Sequence, residues 1–411
     1  MPVAGAVLVA LLAGAAGTTG CAGKTYHGTF RVSVTAEPRR GPADAPLRIG
    51  VSGLAPGERF TLTAATTDRE GLVWTSTAHF RAGRRGGTDL ARDAPLAGSS
   101  YRGVDPSGPL WSMVPATGGA DRTWFVPGRP ERAGAYEVRL AVSVDGVVQS
   151  RTTVTRVLAA PGVRHRTLTV RADGVSGDLY LPPPGGTGRA PVLLFGGSEG
   201  GNGLYEEAAL LASRGHPALA LCYFGCAGRP AALADIDLAY FAAAARLVAA
   251  QPGADPARLA VVASSRGTEA AQLLAQYEPG LVRDAVLFAP SRDTNGAYPV
   301  AGTAWVRGGR PLEHRPIPLD RVRGTVLAVA GGADGLWDAG AAARSLGRQH
   351  GADGRPYRVL VHPRAGHGVG GPPYRPAGTV LPDGTPLGGT RAADARARAD
   401  GWAAALALLD R

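Results

Sequence analysis

The chain has 411 residues, 45% hydrophobic and 19% charged, which excludes an intrinsically disordered protein and exceeds one ordinary core, so two domains are expected. Its formal charge of +11 is carried almost wholly by arginine, with Lys24 the sole lysine. No basic run interleaves with aromatics, so no nucleic-acid partner is expected, although the excess charge would attract anionic substrates or surfaces at low salt.

Val3 to Ala16 is an apolar run too short to span a bilayer comfortably. It ends in Thr18-Thr19-Gly20-Cys21, a pattern resembling a bacterial lipoprotein signal in which Cys21 would be lipidated. On this reading residues 1–27 are a leader, and the protein is exported and membrane-attached through Cys21. No basic residue precedes the run, and Thr18 stands where an aliphatic residue is usual, so a misassigned N-terminus and a cytoplasmic protein form the competing reading. With Cys21 set aside, Cys222 and Cys226 remain. Their C-x₃-C spacing offers no second ligand pair for zinc, so no metal is expected, and a structural thiol or a single disulfide accounts for them.

From Gly28 to Val157 short β-rich runs alternate with turn signals. Phe30 to Thr35, Leu47 to Val51, Phe60 to Ala64 and Leu72 to Phe80 come first, and a long irregular stretch then runs to Pro115. Tyr136 to Val144 and Val147 to Val157 are joined by Asp145-Gly146, a two-residue hairpin signal. About seven strands in this length predict an all-β, immunoglobulin-like sandwich over residues 28–160. No cluster of His, Asp or Glu here suggests a site. Tyr101 to Met113 is rich in turn formers yet carries Trp111 and Met113, which predicts docking against the other domain, with a substrate-facing role as the alternative.

After Ala160-Pro161-Gly162 the pattern changes. Apolar strand candidates are Val192 to Phe195, Ala218 to Tyr223, Leu259 to Ala263, Ala285 to Ala289, Thr325 to Ala330 and Tyr357 to His362. Helical stretches fall between most of them, at Glu206 to Arg214, Asp235 to Ala250, Gly267 to Gln276 and Ala339 to His350, with a last helix at Arg391 to Asp410. Alternation of this kind predicts that residues 161–411 form an α/β-hydrolase domain, a mostly parallel sheet with helices on both faces and function at the carboxyl ends of its strands.

Those strand ends carry the parts of an acyl-transfer site. Ala263-Ser264-Ser265-Arg266-Gly267 has the G-x-S-x-G form of a nucleophile elbow except at its first position, where Ala keeps a small side chain. Ser265 is the candidate nucleophile, and a serine hydroxyl needs a base to take its proton. His367, in the glycine-flanked loop Pro363 to Gly368, suits that task better than His362, which ends a strand and is expected to pack. Asp334, following the strand Thr325 to Ala330, is the candidate acid that fixes the imidazole tautomer, while Asp338 reads as a helix cap. The order Ser265, Asp334, His367 is that of α/β-hydrolases. Oxyanion donors are expected from the backbone N–H of Arg266 and from the loop Gly196 to Gly203, at Ser198 and Glu199. A phosphate-binding loop is the rival reading, but the Lys and Ser/Thr of a P-loop are missing.

In combination these stretches resemble the acyl-CoA thioesterases and bile acid-CoA:amino acid N-acyltransferases. The resemblance rests on Gly103 to Met113, Gly196-Gly-Ser-Glu-Gly-Gly201, Ser265-Arg-Gly-Thr-Glu269, Gly331 to Trp337 and Pro363 to Tyr374. It implies a β-sandwich followed by an α/β-hydrolase domain, with nucleophile, acid and base at Ser265, Asp334 and His367. It further implies a small acyl thioester as substrate, resembling acyl-CoA, with no cofactor. The resemblance ties a serine nucleophile mainly to hydrolysis and a cysteine more to transfer onto amines, so Ser265 implies hydrolysis. An exported protein would not meet coenzyme A, so an ester, another thioester or an acyl acceptor outside the cytoplasm is the alternative. A non-catalytic surface binding protein is the reading from another class, and all three triad residues stand against it. The sequence gives no oligomeric state.

Overall fold

The computed structural model describes residues 31–411, and the leader-like segment with Cys21 lies outside the described residues. Among the described residues no helix is long and apolar enough to cross a membrane.

The first half forms two β-sheets. One has six strands in the spatial order Arg40–Pro42, Val147–Val157, Ala135–Val144, Arg59–Thr67, Val73–Arg81, Val114–Pro115, antiparallel except at its first pair. The other contains Ser33–Glu37, Arg48–Ser52 and Thr88–Asp89. Along Arg59–Thr67 and Val73–Arg81 every second residue is buried, the period-2 signature of a sheet with one face on the core. Leu62, Trp74, Leu140 and Val154 lie at the centre of that core. The hairpin at Asp145-Gly146 turns with positive φ at both residues, 46° and 81°, as a two-residue primed turn requires.

The chain leaves this sheet after Val157 and enters a second one at Arg164. Its eight strands run in the order Arg164–Leu168, Ser176–Leu181, Ala218–Cys222, Val192–Phe195, Ala260–Ser264, Asp284–Phe288, Val326–Gly331, Arg358–His362. The first two are antiparallel to their neighbours and the rest are parallel. Helices Tyr205–Ser213, Leu238–Ala249, Gly267–Tyr277, Ala339–Leu346 and Arg391–Leu409 connect or cover them. This is the α/β architecture expected from the alternating pattern. The two antiparallel strands are absent from the list of apolar runs, because Arg164–Leu168 is a largely exposed edge and Ser176–Leu181 interrupts its apolar residues with Gly177 and a buried Asp178. The central parallel strands, buried on both faces, read as unbroken apolar runs.

Contacts of several kinds join the halves. Asp44 of the first accepts from Arg214 Nε at 2.9 Å and from Trp402 Nε1 at 2.8 Å. Arg391 donates to the carbonyls of Trp111 and Met113, so the Tyr101 to Met113 segment does dock on the second half, through its backbone. Its Trp111 and Met113 side chains face inward to the first core instead, joined there by Ala395 from the last helix.

Candidate functional site

Ser265 follows the strand Ala260–Ser264 and precedes the helix Gly267–Tyr277, with a left-handed φ of 54°. Such a conformation is costly for a non-glycine residue and is the strained geometry that lifts an elbow hydroxyl clear of the sheet. Gly267 is needed for the same turn, because a Cβ there would lie 2.1 Å from the carbonyl oxygen of Gly196.

His367 and Asp334 come to this point from neighbouring strand ends. His367 Nε2 lies 2.9 Å from Ser265 Oγ, and its Nδ1 lies 2.8 Å from Asp334 Oδ2. The Asp334 carboxylate is 1% exposed, and its Oδ1 accepts from the N–H groups of Leu336 and Trp337, so it is held from both sides. The Trp337 ring meets the imidazole edge-on at 4.7 Å between centroids. The two loops approach closely because Gly331 lacks a side chain: a Cβ there would lie 2.1 Å from the carbonyl oxygen of Gly366. The competing residues stand elsewhere. Asp338 caps the helix Ala339–Leu346 by accepting from Ala341 N–H at 2.7 Å, and His362 faces Asp400 at 3.9 Å.

The glycine-rich loop Gly196 to Gly203 lies across Ser265. Gly197 lies against the nucleophile, since an ideal Cβ on it would fall 2.5 Å from Ser265 Cβ. Ser198 is partly exposed, and Glu199 turns its carboxylate back to accept from Gly197 N–H. Arg266 stands at the N-cap of the elbow helix, where its backbone follows directly on the hydroxyl. Its side chain runs the other way, into a buried pair with Glu269 at 2.7 Å. Glu269 also accepts from Trp305 Nε1 and Asn295 N–H, which fastens the 290–315 segment to the elbow. The Gly-rich loop is braced from outside by Cys222–Cys226, a disulfide in the neighbouring turn, where the Phe224 carbonyl accepts from Gly201 N–H at 2.9 Å.

Two further residues act on the His367 loop and carry no motif. Asp394 Oδ1 accepts from Gly366 N–H at 2.7 Å, and Arg398 Nε donates to the Gly368 carbonyl at 2.8 Å. Both side chains are buried and sit one turn apart on the last helix, bracketing the imidazole by its two flanking residues. In the sequence they read as solvated positions of an Ala- and Arg-rich helix, and the only available signal is their i, i+4 spacing.

A hydroxyl bonded to an imidazole that is bonded in turn to a buried carboxylate can act as a nucleophile toward an acyl carbon. Residues 44–170 match the family described as acyl-CoA thioester hydrolase/BAAT N-terminal region, and residues 306–411 match BAAT/acyl-CoA thioester hydrolase C terminal. The chain is 31% identical to acyl-coenzyme A thioesterase 6 of Mus musculus, over 87% of this chain and 91% of that protein. It is 29% identical to acyl-coenzyme A thioesterase 1 of Homo sapiens, with the same coverage of 87% and 91%. Among solved structures, a dienelactone hydrolase-like promiscuous phosphotriesterase from metagenomic libraries is similar at 18% identity and a TM-score of 0.39, covering 61% of this chain and 98% of that one.

Proposed function

The chain belongs to the acyl-CoA thioester hydrolase/BAAT family and is a hydrolase, and from that premise we propose that it cleaves acyl thioesters of the acyl-CoA type through an acyl-enzyme on Ser265. The observation that carries the reading is the continuous chain from Ser265 Oγ to His367 Nε2 and from His367 Nδ1 to Asp334. In the first half-reaction Ser265 Oγ attacks the thioester carbonyl and gives its proton to His367 Nε2. The tetrahedral adduct places its oxyanion between the Arg266 N–H and the Gly-rich loop, where loss of one donor costs about 2.7–4 kcal/mol. Collapse breaks the C–S bond, and the imidazolium protonates the departing thiolate. A water then gives its proton to His367, attacks the acyl-enzyme and releases the carboxylic acid, and Ser265 Oγ recovers the proton. Asp334 keeps the imidazole in the tautomer that both steps need.

The domain assignment is part of the same proposal: an immunoglobulin-like sandwich over residues 28–160, its three- and six-stranded sheets sharing one core, carries the catalytic domain of residues 161–411. Export as a lipoprotein through Cys21 is proposed with it, and the Cys222–Cys226 disulfide supports an oxidising compartment. That disulfide also favours a second reading of the substrate, an ester, thioester or acyl acceptor outside the cytoplasm. Mass spectrometry of the mature N-terminus decides the compartment, and product analysis with and without an amino-acid acceptor separates hydrolysis from transfer.

A fluorophosphonate probe tests the nucleophile: the wild-type protein is expected to label and Ser265→Ala not to. Equal labelling of the two would remove Ser265 from the mechanism. Asp334→Asn is expected to lower kcat by about 10⁴-fold with the melting temperature little changed, the effect of a lost tautomer lock. Full activity in that variant would move the acid role elsewhere.

A further inference from the structure

The Gly-rich loop already holds an anion of its own. Glu199 is exposed as a residue, yet its carboxylate folds back so that Gly197 N–H donates to Oε1 and Oε2 at 2.9 Å each. An ideal Cβ on Gly197 would fall 3.1 Å from Glu199 Oε2 and 2.9 Å from Ser265 Oγ. Carboxylate and nucleophile therefore both lie beside Gly197. A tetrahedral adduct on Ser265 needs backbone N–H donors, and Gly197 N–H is a donor that the loop offers beside the nucleophile. The carboxylate has the chemistry of the oxyanion it precedes, a negatively charged oxygen accepting from main-chain N–H. Two such charges cannot share a donor without mutual repulsion. Burial holds the pKa of the carboxyl above its ordinary value, against the pull of its own N–H, Gly197 N–H and His367, so its hydrogen bonds are kept at a cost in hydration. Gly200 and Gly201, both with positive φ of 68° and 70°, follow in a turn held by the bond from Gly201 N–H to the Phe224 carbonyl, so the movement required is that of the Glu199 side chain alone.

We propose that the Glu199 carboxylate is an internal occupant of the acyl-oxygen site, displaced into solvent when a substrate carbonyl arrives, so that acylation of Ser265 is gated by this side chain. The inference rests on the reading of Ser265 as nucleophile and deepens it. Displacing one charge-assisted hydrogen bond opposes binding at the oxyanion site by between about ten- and a hundredfold.

The test uses the full chain with Glu199→Ala and Glu199→Gln, an alkylboronic acid as the tetrahedral-adduct probe, and fluorophosphonate labelling rates. Glu199→Ala is expected to bind the boronic acid ten- to a hundredfold more tightly than wild type and to label faster, with Glu199→Gln between the two because it keeps a neutral acceptor. Unchanged boronic acid affinity in both variants overturns the proposal. Loss of labelling in either variant, with the melting temperature kept, also overturns it, because the carboxyl would then take part in the chemistry. If Glu199→Ala fails to fold, Glu199→Gln carries the same comparison. A wild-type protein that does not label at Ser265 rejects the nucleophile itself, an outcome distinct from equal labelling of wild type and variants, which rejects only the gate.

Discussion

A polar residue placed just beyond the end of a parallel strand, beside a glycine that keeps the turn tight, has little to do but face the cleft. Ser265, Asp334 and His367 all have that setting. Charges that act through burial had no such signal. Glu207 sits two residues into the helix Tyr205–Ser213, where an acid at a helix N-terminus looks like an ordinary dipole partner. In the fold it is buried, and its carboxyl is pushed up to about 7 by loss of hydration and by neighbouring Glu206, against the pull of Arg375. A folded-state pKa above the ordinary 4.5 means that the folded protein holds this proton more firmly than the unfolded chain. Its contribution to stability is then full below about pH 4.5 and lost as pH rises through about 7. Glu207→Gln is expected to match wild type at pH 4 and to exceed it at pH 8, by up to about 3 kcal/mol in denaturant unfolding. A variant less stable than wild type at pH 8 would show instead that Glu207 is ionised and paired with Arg375.

The elements differ in how openly they announce themselves. Central strands did so through unbroken apolar runs, and the elbow helix through its start at Gly267. The edge strand Arg164–Leu168 did not, since only one of its five residues is buried. The last helix was legible as a helix but not as a support of the site, because Asp394 and Arg398 act on backbone atoms of a loop that no periodicity ties to them. Asp394→Ala leaves Gly366 N–H without its acceptor and frees the loop that carries the imidazole. The expected result is a fall in kcat of between about ten- and a hundredfold with KM little moved, measured on the acyl thioester that the wild type turns over best. Asp394→Asn keeps an oxygen for Gly366 N–H and is expected to recover most of the loss. A change confined to KM would place Asp394 in substrate binding instead.

At the level of the whole molecule, the sequence changes period near residue 160, and the chain changes sheets between Val157 and Arg164. The seam between the halves was only partly visible. Trp111 and Met113 marked the docking segment, but Asp44, Arg214, Trp402 and Arg391 are single polar residues spread across the chain, and their meeting is a property of the assembled fold. The helix Arg391–Leu409 concentrates several of these duties. Gly401 lets it press on the sheet, where a Cβ would come within 3.0 Å of Phe288 and Val329. Trp402 reaches Asp44, Ala395 enters the other core, and Asp394 with Arg398 bracket the imidazole. A polypeptide stopped at Thr390 would therefore not be a shortened enzyme with a weaker site. It is expected to emerge as insoluble material, with protease-sensitive edges in both halves, whereas a soluble and folded product from that stop codon would mean each half keeps its shape without a common keystone.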